Sequence, residues 1–352
     1  MSATVYTLDS FIQTRAAKVE LDWSSDIQER IVLFDSLCVR TDSDGVSALA
    51  LFLDGLLRDL SINSLDGNRE ETRKNFLTVL YKIIGRTRDM IGGKGEYNLS
   101  YMMIWTWFKY FPRLARGAFQ MFVMDPHDYD LNFTSQVPYG SWKDVKYFCK
   151  YILDNGGTME HPLIRFCVEG INSTLRIDDE LYNSTSEEDR DKKLTLVAKW
   201  IPRENKKFGF LYNALAFDYF KEFFITADNY ASRERAEKKC KTNYRMLCSK
   251  LNRHLDTVQI KQTAKNWESI DHSKTTSCTR TKQHKAFLNQ KLYDDPDRIA
   301  CANNLREYMK SVKKEEFPRT EDDESLTTYD ALVARLNNDR YLPLEKIIMF
   351  SF

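Results

Sequence analysis

The chain has 352 residues, of which 42% are apolar and 29% charged, a globular composition with length enough for one large core or two domains. Its 52 Lys+Arg against 51 Asp+Glu leave a formal charge of +1, which excludes a uniformly basic or acidic surface, so any charged partner must be read from local clustering. No run nears the roughly 18 uninterrupted apolar residues of a membrane span, MSATVYTLDSF lacks the basic and apolar blocks of a secretory signal, and the seven cysteines contain no C-x-x-C pair. Together these predict reduced thiols, no membrane partner and a cytoplasmic or nuclear protein.

In chain order, SDIQERIVLFDSLCVR predicts a helix with Ser25 as its N-cap and Ile27, Ile31, Phe34 and Leu37 on one face. DGVSALALFLDGLLRDL predicts a more buried helix. NFLTVLYKIIGRTRDM places Phe76, Leu77, Leu80, Ile83 and Ile84 at helical spacing, and the glycine-rich TRDMIGGKGEY follows as a stop and turn. YNLSYMMIWTWFKYF is apolar on most sides, and Pro112 ends it or opens the next helix. SWKDVKYFCKYIL puts Trp142, Val145, Cys149 and Ile152 on a stripe, with Ser141 as cap.

Further helices are expected near 160–176, 192–200, 208–227, 232–253, 256–268, 281–292, 296–313, 327–337 and 343–350. No Asn-Gly or Asp-Gly lies between alternating β-branched runs, so no strand signal competes. The expected fold is all-α, an irregular solenoid-like array of more than a dozen helices without a fixed sequence period. Two acidic, apolar-poor stretches, 176–193 and 313–328, read as exposed loops. The domain reading is therefore one helical domain over 1–312, an acidic loop over 313–328, and C-terminal helices over 329–352 that pack on the same domain.

The glycine run raises the question of a phosphate cradle. A nucleotide-binding P-loop needs G-x-x-x-x-G-K-[ST] after a strand; here Lys94 precedes Gly95 and the run follows a helix. Gly92, Gly93 and Gly95 read instead as a tight helix–helix turn. Lys94 reads as a cap on a helix C-terminus or a phosphate contact, and Arg88 and Asp89 as a pair tying helices together.

A basic segment is more informative. Residues 232–291 hold fifteen Lys+Arg against five acids, +10 in sixty residues, with Tyr244, Asn252, His254 and Trp267 interspersed. Phosphate contact with nearby stacking groups uses this mixture, and so does a solvated face neutralised by acidic loops. The candidate nucleic-acid contacts are Lys238, Lys239, Lys241, Arg245, Lys250 and Arg253. A second group comes from AKWIPRENKKF: Lys199, Arg203, Lys206 and Lys207, beside Trp200, which reads as a core residue. His272, Cys278 and His284 are spaced too widely for a local zinc pair, so neither metal nor cofactor is expected. No nucleophile elbow or Ser–His or Cys–His pair is legible, which predicts a non-enzymatic protein.

Five blocks recur in a known order: TRDMIGGKGEYNLSYMMIWTWF, PYGSWKDVKYF, AKWIPREN, YRMLCSKLNRHLDTVQ and NWESIDHSKTTSCTRTKQHKAFLNQ. They resemble the domain-of-unknown-function 2828 family of plants, fungi and large DNA viruses. The matching residues are Arg88-Asp89 with Gly92 to Gly95, Trp142-Lys143-Asp144, and Lys199-Trp200 with Pro202-Arg203-Glu204. The resemblance implies an all-helical domain distantly similar to the TROVE module, the helical-repeat ring of Ro-type ribonucleoproteins that binds small RNAs. It also implies a structural role for the glycine and Trp-Lys-Asp motifs. Longer members carry a von Willebrand factor A-like domain with a D-x-S-x-S signature, for which LEKIIMFSF offers no match. The expected function is a scaffold binding single-stranded or small structured RNA; the alternative is a protein-interaction scaffold, of viral origin among others, with no nucleic-acid role.

Overall fold

The computed structural model describes residues 2–16, 23–61, 67–123, 138–184, 194–275, 277–288, 294–312, 328–337 and 339–349. Among the described residues the chain is all-α, with 16 α-helices and no strand. The helices are α1 (Ala3–Ala16), α2 (Trp23–Leu37), α3 (Ser43–Ser61), α4 (Gly67–Arg88), α5 (Tyr97–Tyr110), α6 (Pro112–Val123), α7 (Lys143–Asp154) and α8 (Pro162–Ser184). They continue with α9 (Val197–Trp200), α10 (Gly209–Tyr219), α11 (Tyr230–His254), α12 (Val258–Thr263), α13 (Ser277–Phe287), α14 (Pro296–Ser311), α15 (Tyr329–Leu336) and α16 (Leu342–Met349). Short 3-10 turns occupy Lys221–Phe224 and Asp339–Tyr341.

The chain forms two compact units. The first comprises residues 1–169, 205–211 and 320–352; the second comprises 170–204 and 212–319. In the first, α5 packs against α3, α4, α6 and α7. Its apolar run buries Leu99 and Tyr101 to Ile104, and Trp107 meets Tyr81 and Phe111 edge-on or tilted at 5.3 and 5.4 Å. Every position from Val79 of α4 to Asp89, just past its end, is buried, although Lys82, Arg86, Arg88 and Asp89 lie in that stretch. Helices α15 and α16 pack on α4. In the second unit, α8, α10 and α11 meet at Asn172: its Nδ2 donates to the Leu215 carbonyl at 2.9 Å and to Asp218 at 2.8 Å, while the Tyr244 hydroxyl donates to its Oδ1 at 3.0 Å. A smaller core gathers Ile270, Phe287, Cys301 and Leu305.

Several boundaries differ from the sequence reading. Helix α2 begins at Trp23, so Ser25 lies inside its first turn rather than capping it. Trp142, not Ser141, holds the cap position of α7; Ser141 instead donates its backbone N–H to Asp144 Oδ2 at 2.7 Å. Arg176–Ser184 is not a loop but the last turns of α8. Leu175 and Asp178 stay buried there, and Asp178 accepts from the Thr195 amide and hydroxyl at 3.0 and 2.7 Å, so local acidity does not interrupt the inward stripe. Residues 185–193 and 313–327 of the two acidic stretches lie outside the described residues. The expected helix over 256–268 shortens to α12, because Lys265 turns left-handed (φ +57°) and the Asn266 amide bonds the Lys261 carbonyl at 2.9 Å, closing the helix C-terminus.

Candidate nucleic-acid interface

The glycine motif sits at the end of α4 and satisfies a charged lattice. Charges buried on a central helix are stable only when paired and hydrogen-bonded, and each of them is. Arg86 donates to both oxygens of Asp35 on α2, at 2.7 and 2.5 Å. Arg88 grips both oxygens of Asp144 on α7 at 3.0 and 2.8 Å, and the Tyr101 hydroxyl donates to the same carboxylate at 2.5 Å. Burial and that carboxylate push the Tyr101 phenol well above its ordinary pKa. Asp89, fully buried, accepts from Arg340 at 2.8 and 2.7 Å and from the amides of Ile91 and Gly92 at 3.0 and 3.3 Å. Arg88 and Asp89 therefore do not pair with each other; each reaches a different part of the first unit. Lys94 donates to the Asp35 carbonyl and, at 3.1 Å, to its carboxylate, which caps the C-terminal turn of α2.

The glycines serve this lattice by different means. Gly95 takes φ +70°. A Cβ on Gly93 would overlap the Arg86 carbonyl and lie 2.8 Å from Asp89 Cβ, while one on Gly92 would meet Asp89 Oδ2 at an ordinary 3.4 Å. Gly140 is equally enclosed: its Cβ would lie 3.0 Å from the Phe122 carbonyl and 3.1 Å from Arg88 Nε. Nothing in this arrangement is a phosphate cradle.

The basic segment resolves into exposed and occupied charges. Helix α11 opens with a capping box in which Asn229 and Ser232 bond reciprocally. It buries Ala236, Cys240, Tyr244, Leu247 and Leu251 along one stripe. The opposite stripe carries Arg235, Lys238, Lys239, Arg245, Met246 and Arg253, all exposed. Lys238 pairs with Glu234 at 2.8 Å, Lys241 with Glu204 at 3.3 Å, and Lys250 with Asp179. Lys239 stands 4.0 Å over the Phe223 ring and Lys250 4.8 Å over Tyr182. A groove of about 550 Å³ at the C-terminal end of this face is lined by Tyr182, Arg245, Met246, Ser249, Lys250, Arg253 and His254. Tyr244 cannot stack on a ligand, because it is fully buried, and Trp267 packs against the small core with Arg298 3.4 Å over its ring. Beside this face Tyr182 and Phe223 are half-buried and Tyr230 is 85% exposed.

The second basic group divides. Lys199 and Arg203 belong to the second unit; Lys199 is half-buried, 5.5 Å over the equally half-buried Trp200, and desolvation lowers its pKa. Lys206 and Lys207 belong to the first unit and are exposed. There the 205–211 segment lies against α7: Phe208 meets Tyr147 at 5.0 Å, Lys146 and Lys207 each stand 5.6 Å from the Phe208 ring, and Lys143 stands 5.1 Å from Tyr147. Lys143 thus differs from its motif neighbours: Trp142 is half-buried and Asp144 buried, whereas Lys143 is exposed. Lys146 and Tyr147 lie in the PYGSWKDVKYF block outside its Trp-Lys-Asp match, Tyr182, Phe223 and Arg340 lie outside all five blocks, and only the tertiary contacts bring them to these sites.

Among the described residues no group of three His, Cys, Asp or Glu is placed to hold a metal ion. Cys38 and Cys248 are pushed up to about 12 and Cys301 to about 11, each chiefly by burial, so they remain thiols near neutrality. No described helix is long and apolar enough to cross a membrane. No protein-family model, characterised protein or solved structure matches the chain.

Proposed function

We propose that this chain is a non-enzymatic helical scaffold that binds single-stranded RNA along the exposed face of α11. The observation that carries the reading is the stripe from Arg235 to Arg253, nineteen residues spanning about 27 Å of helix, on which cations face solvent while most of the helix's apolar residues face its own core. Exposed guanidinium and ammonium groups neutralise phosphates and release counterions. The rings beside them supply stacking surfaces that tolerate any base, and the groove at Tyr182 and Met246 offers an unpaired base a partly apolar seat. The family that the five sequence blocks resemble is distantly similar to the RNA-binding TROVE module, which favours the same ligand class.

Fluorescence anisotropy with a labelled oligouridine of about a dozen nucleotides tests the reading. Contact with three or four phosphates gives a slope of log K against log salt of about −2 to −3. Reversing Lys238, Lys239, Arg245 and Arg253 to glutamate should weaken binding and flatten the slope while the helical circular dichroism stays unchanged. Salt-insensitive or absent RNA binding by the wild-type chain, together with a protein that co-purifies with it stoichiometrically, favours the interaction-scaffold alternative.

A further inference from the structure

We infer that the first unit carries its own nucleotide-binding patch, in which Lys143, Lys146 and Lys207 hold phosphate and Tyr147, Phe208 and Tyr97 receive a base. The inference rests on the RNA reading for its ligand class but uses different residues. Three ammonium groups from two separate chain segments converge on one pair of rings: Lys146 and Lys207 both stand 5.6 Å from the Phe208 centroid, so the two are no more than about 11 Å apart, and Lys143 is 5.1 Å from the adjoining Tyr147.

Folding has assembled like charges there. Lys143 and Lys207 are exposed and make no ion pair with a described residue, and the pKa of Lys146 is lowered by desolvation first and by the nearby Lys143 second. An arrangement of mutually repelling cations is relieved by a bound anion. Phe208 also lies immediately before the start of α10, whose N-terminal dipole favours negative charge.

The aromatic half of the patch selects among anions. Tyr147 and Phe208 meet edge to face, and Tyr97, 42% exposed, adjoins Tyr147 at 6.2 Å. Such a ring surface beside lysines fits a phosphate joined to a planar base better than an acidic peptide or free phosphate. Because Asp144 is committed to Arg88 and Tyr101, the one buried carboxylate on this turn of α7 does not compete for the lysines.

The test uses the full chain and the same labelled oligouridine, with Lys143→Glu/Lys207→Glu, Tyr147→Leu and, as a control outside the patch, Lys310→Glu. The double reversal should weaken binding roughly fivefold or more and flatten the salt slope by about 1.4, two phosphates' worth. Tyr147→Leu should weaken binding with the slope unchanged, and Lys310→Glu should do neither. Oligouridine bearing photoreactive 5-iodouridine should crosslink to the peptides holding Tyr97, Tyr147 or Phe208.

Wild-type affinity in the double reversal without crosslinks at these peptides overturns the inference, even where reversal of α11 abolishes binding and so upholds the α11 site. Loss in the double reversal with no effect of α11 reversal does the opposite. Displacement by oligoglutamate as readily as by RNA, with Tyr147→Leu silent, shows an anion surface without nucleotide recognition and also overturns it. No RNA binding by the wild-type chain ends both readings.

Discussion

Gly93 and Gly92 are adjacent in sequence and different in consequence. A side chain at Gly93 must displace the Arg86 carbonyl and the backbone of Asp89, which hold two arms of the charged lattice, whereas at Gly92 an added methyl finds an ordinary contact. Gly93→Ala should therefore cost about 2 kcal/mol or more in chemical denaturation and Gly92→Ala less than about 1 kcal/mol. Equal effects would contradict the geometry. Arg88 and Asp144 are both nearly inaccessible. Asp144→Leu alone should cost roughly 3–5 kcal/mol by stranding a buried guanidinium, and adding Arg88→Met should recover a large part of it; additive losses would show that the two do not act as a pair. His272, buried against Phe287 with its Nε2 near the Cys301 carbonyl, has its pKa lowered, chiefly by desolvation. The unfolded chain then binds this proton more readily than the folded one, so stability should fall as pH drops through the ordinary value of 6.5, and His272→Gln should flatten that dependence in pH-resolved thermal unfolding.

At the scale of the element, periodicity carried most of the information. The inward stripe of α11, at residues 236, 240, 244, 247 and 251, is legible in the sequence as spacings of three and four, and reading it would have placed Tyr244 in the core rather than against a ligand. Helix α8 was misread at its end because its acidic composition masked a stripe that continues through Leu175 and Asp178. Composition reports what faces water, while the stripe decides where a helix stops. Hydrogen bonds sharpen this: Asn229 accepts from the Ser232 amide at 2.9 Å and Ser232 Oγ accepts from the Asn229 amide at 3.1 Å. Asn229→Ala should cost about 1 kcal/mol and lower hydrogen-exchange protection in the first turn of α11, leaving its middle protected. Protection lost evenly along the helix would mean that the cap has no local role.

For the whole molecule, what the sequence could not reveal is how far apart its charged partners lie. Asp89 meets Arg340 across 251 residues, and Lys82 meets Asn337 across 255 and pairs with Glu345. No local pattern announces such pairs, since an isolated arginine in NNDRYLPLEK looks like any surface arginine. The same separation has a physical consequence. Until residues 328–349 arrive, Lys82 on α4 and Asp89 at its end lack these partners in a stretch otherwise closed off from water, and the apolar contacts of Leu344 near Gly85 and Ile347 near Gly117 are also missing. Contacts of such sequence separation form late, because loop closure must come before they stabilise anything. The first unit should therefore complete its packing only after the C-terminal helices dock. Arg340→Met should cost roughly 3 kcal/mol, somewhat moderated because Asp89 keeps two amide donors, and removal of residues 328–352 should cost far more. Hydrogen-exchange mass spectrometry of the truncated chain should show protection falling first in α4 and in the turn from Asp89 to Glu96. If those peptides exchange as slowly as in the intact chain, the C-terminal segment is an appendage to the first unit and not the closing piece of its charged core.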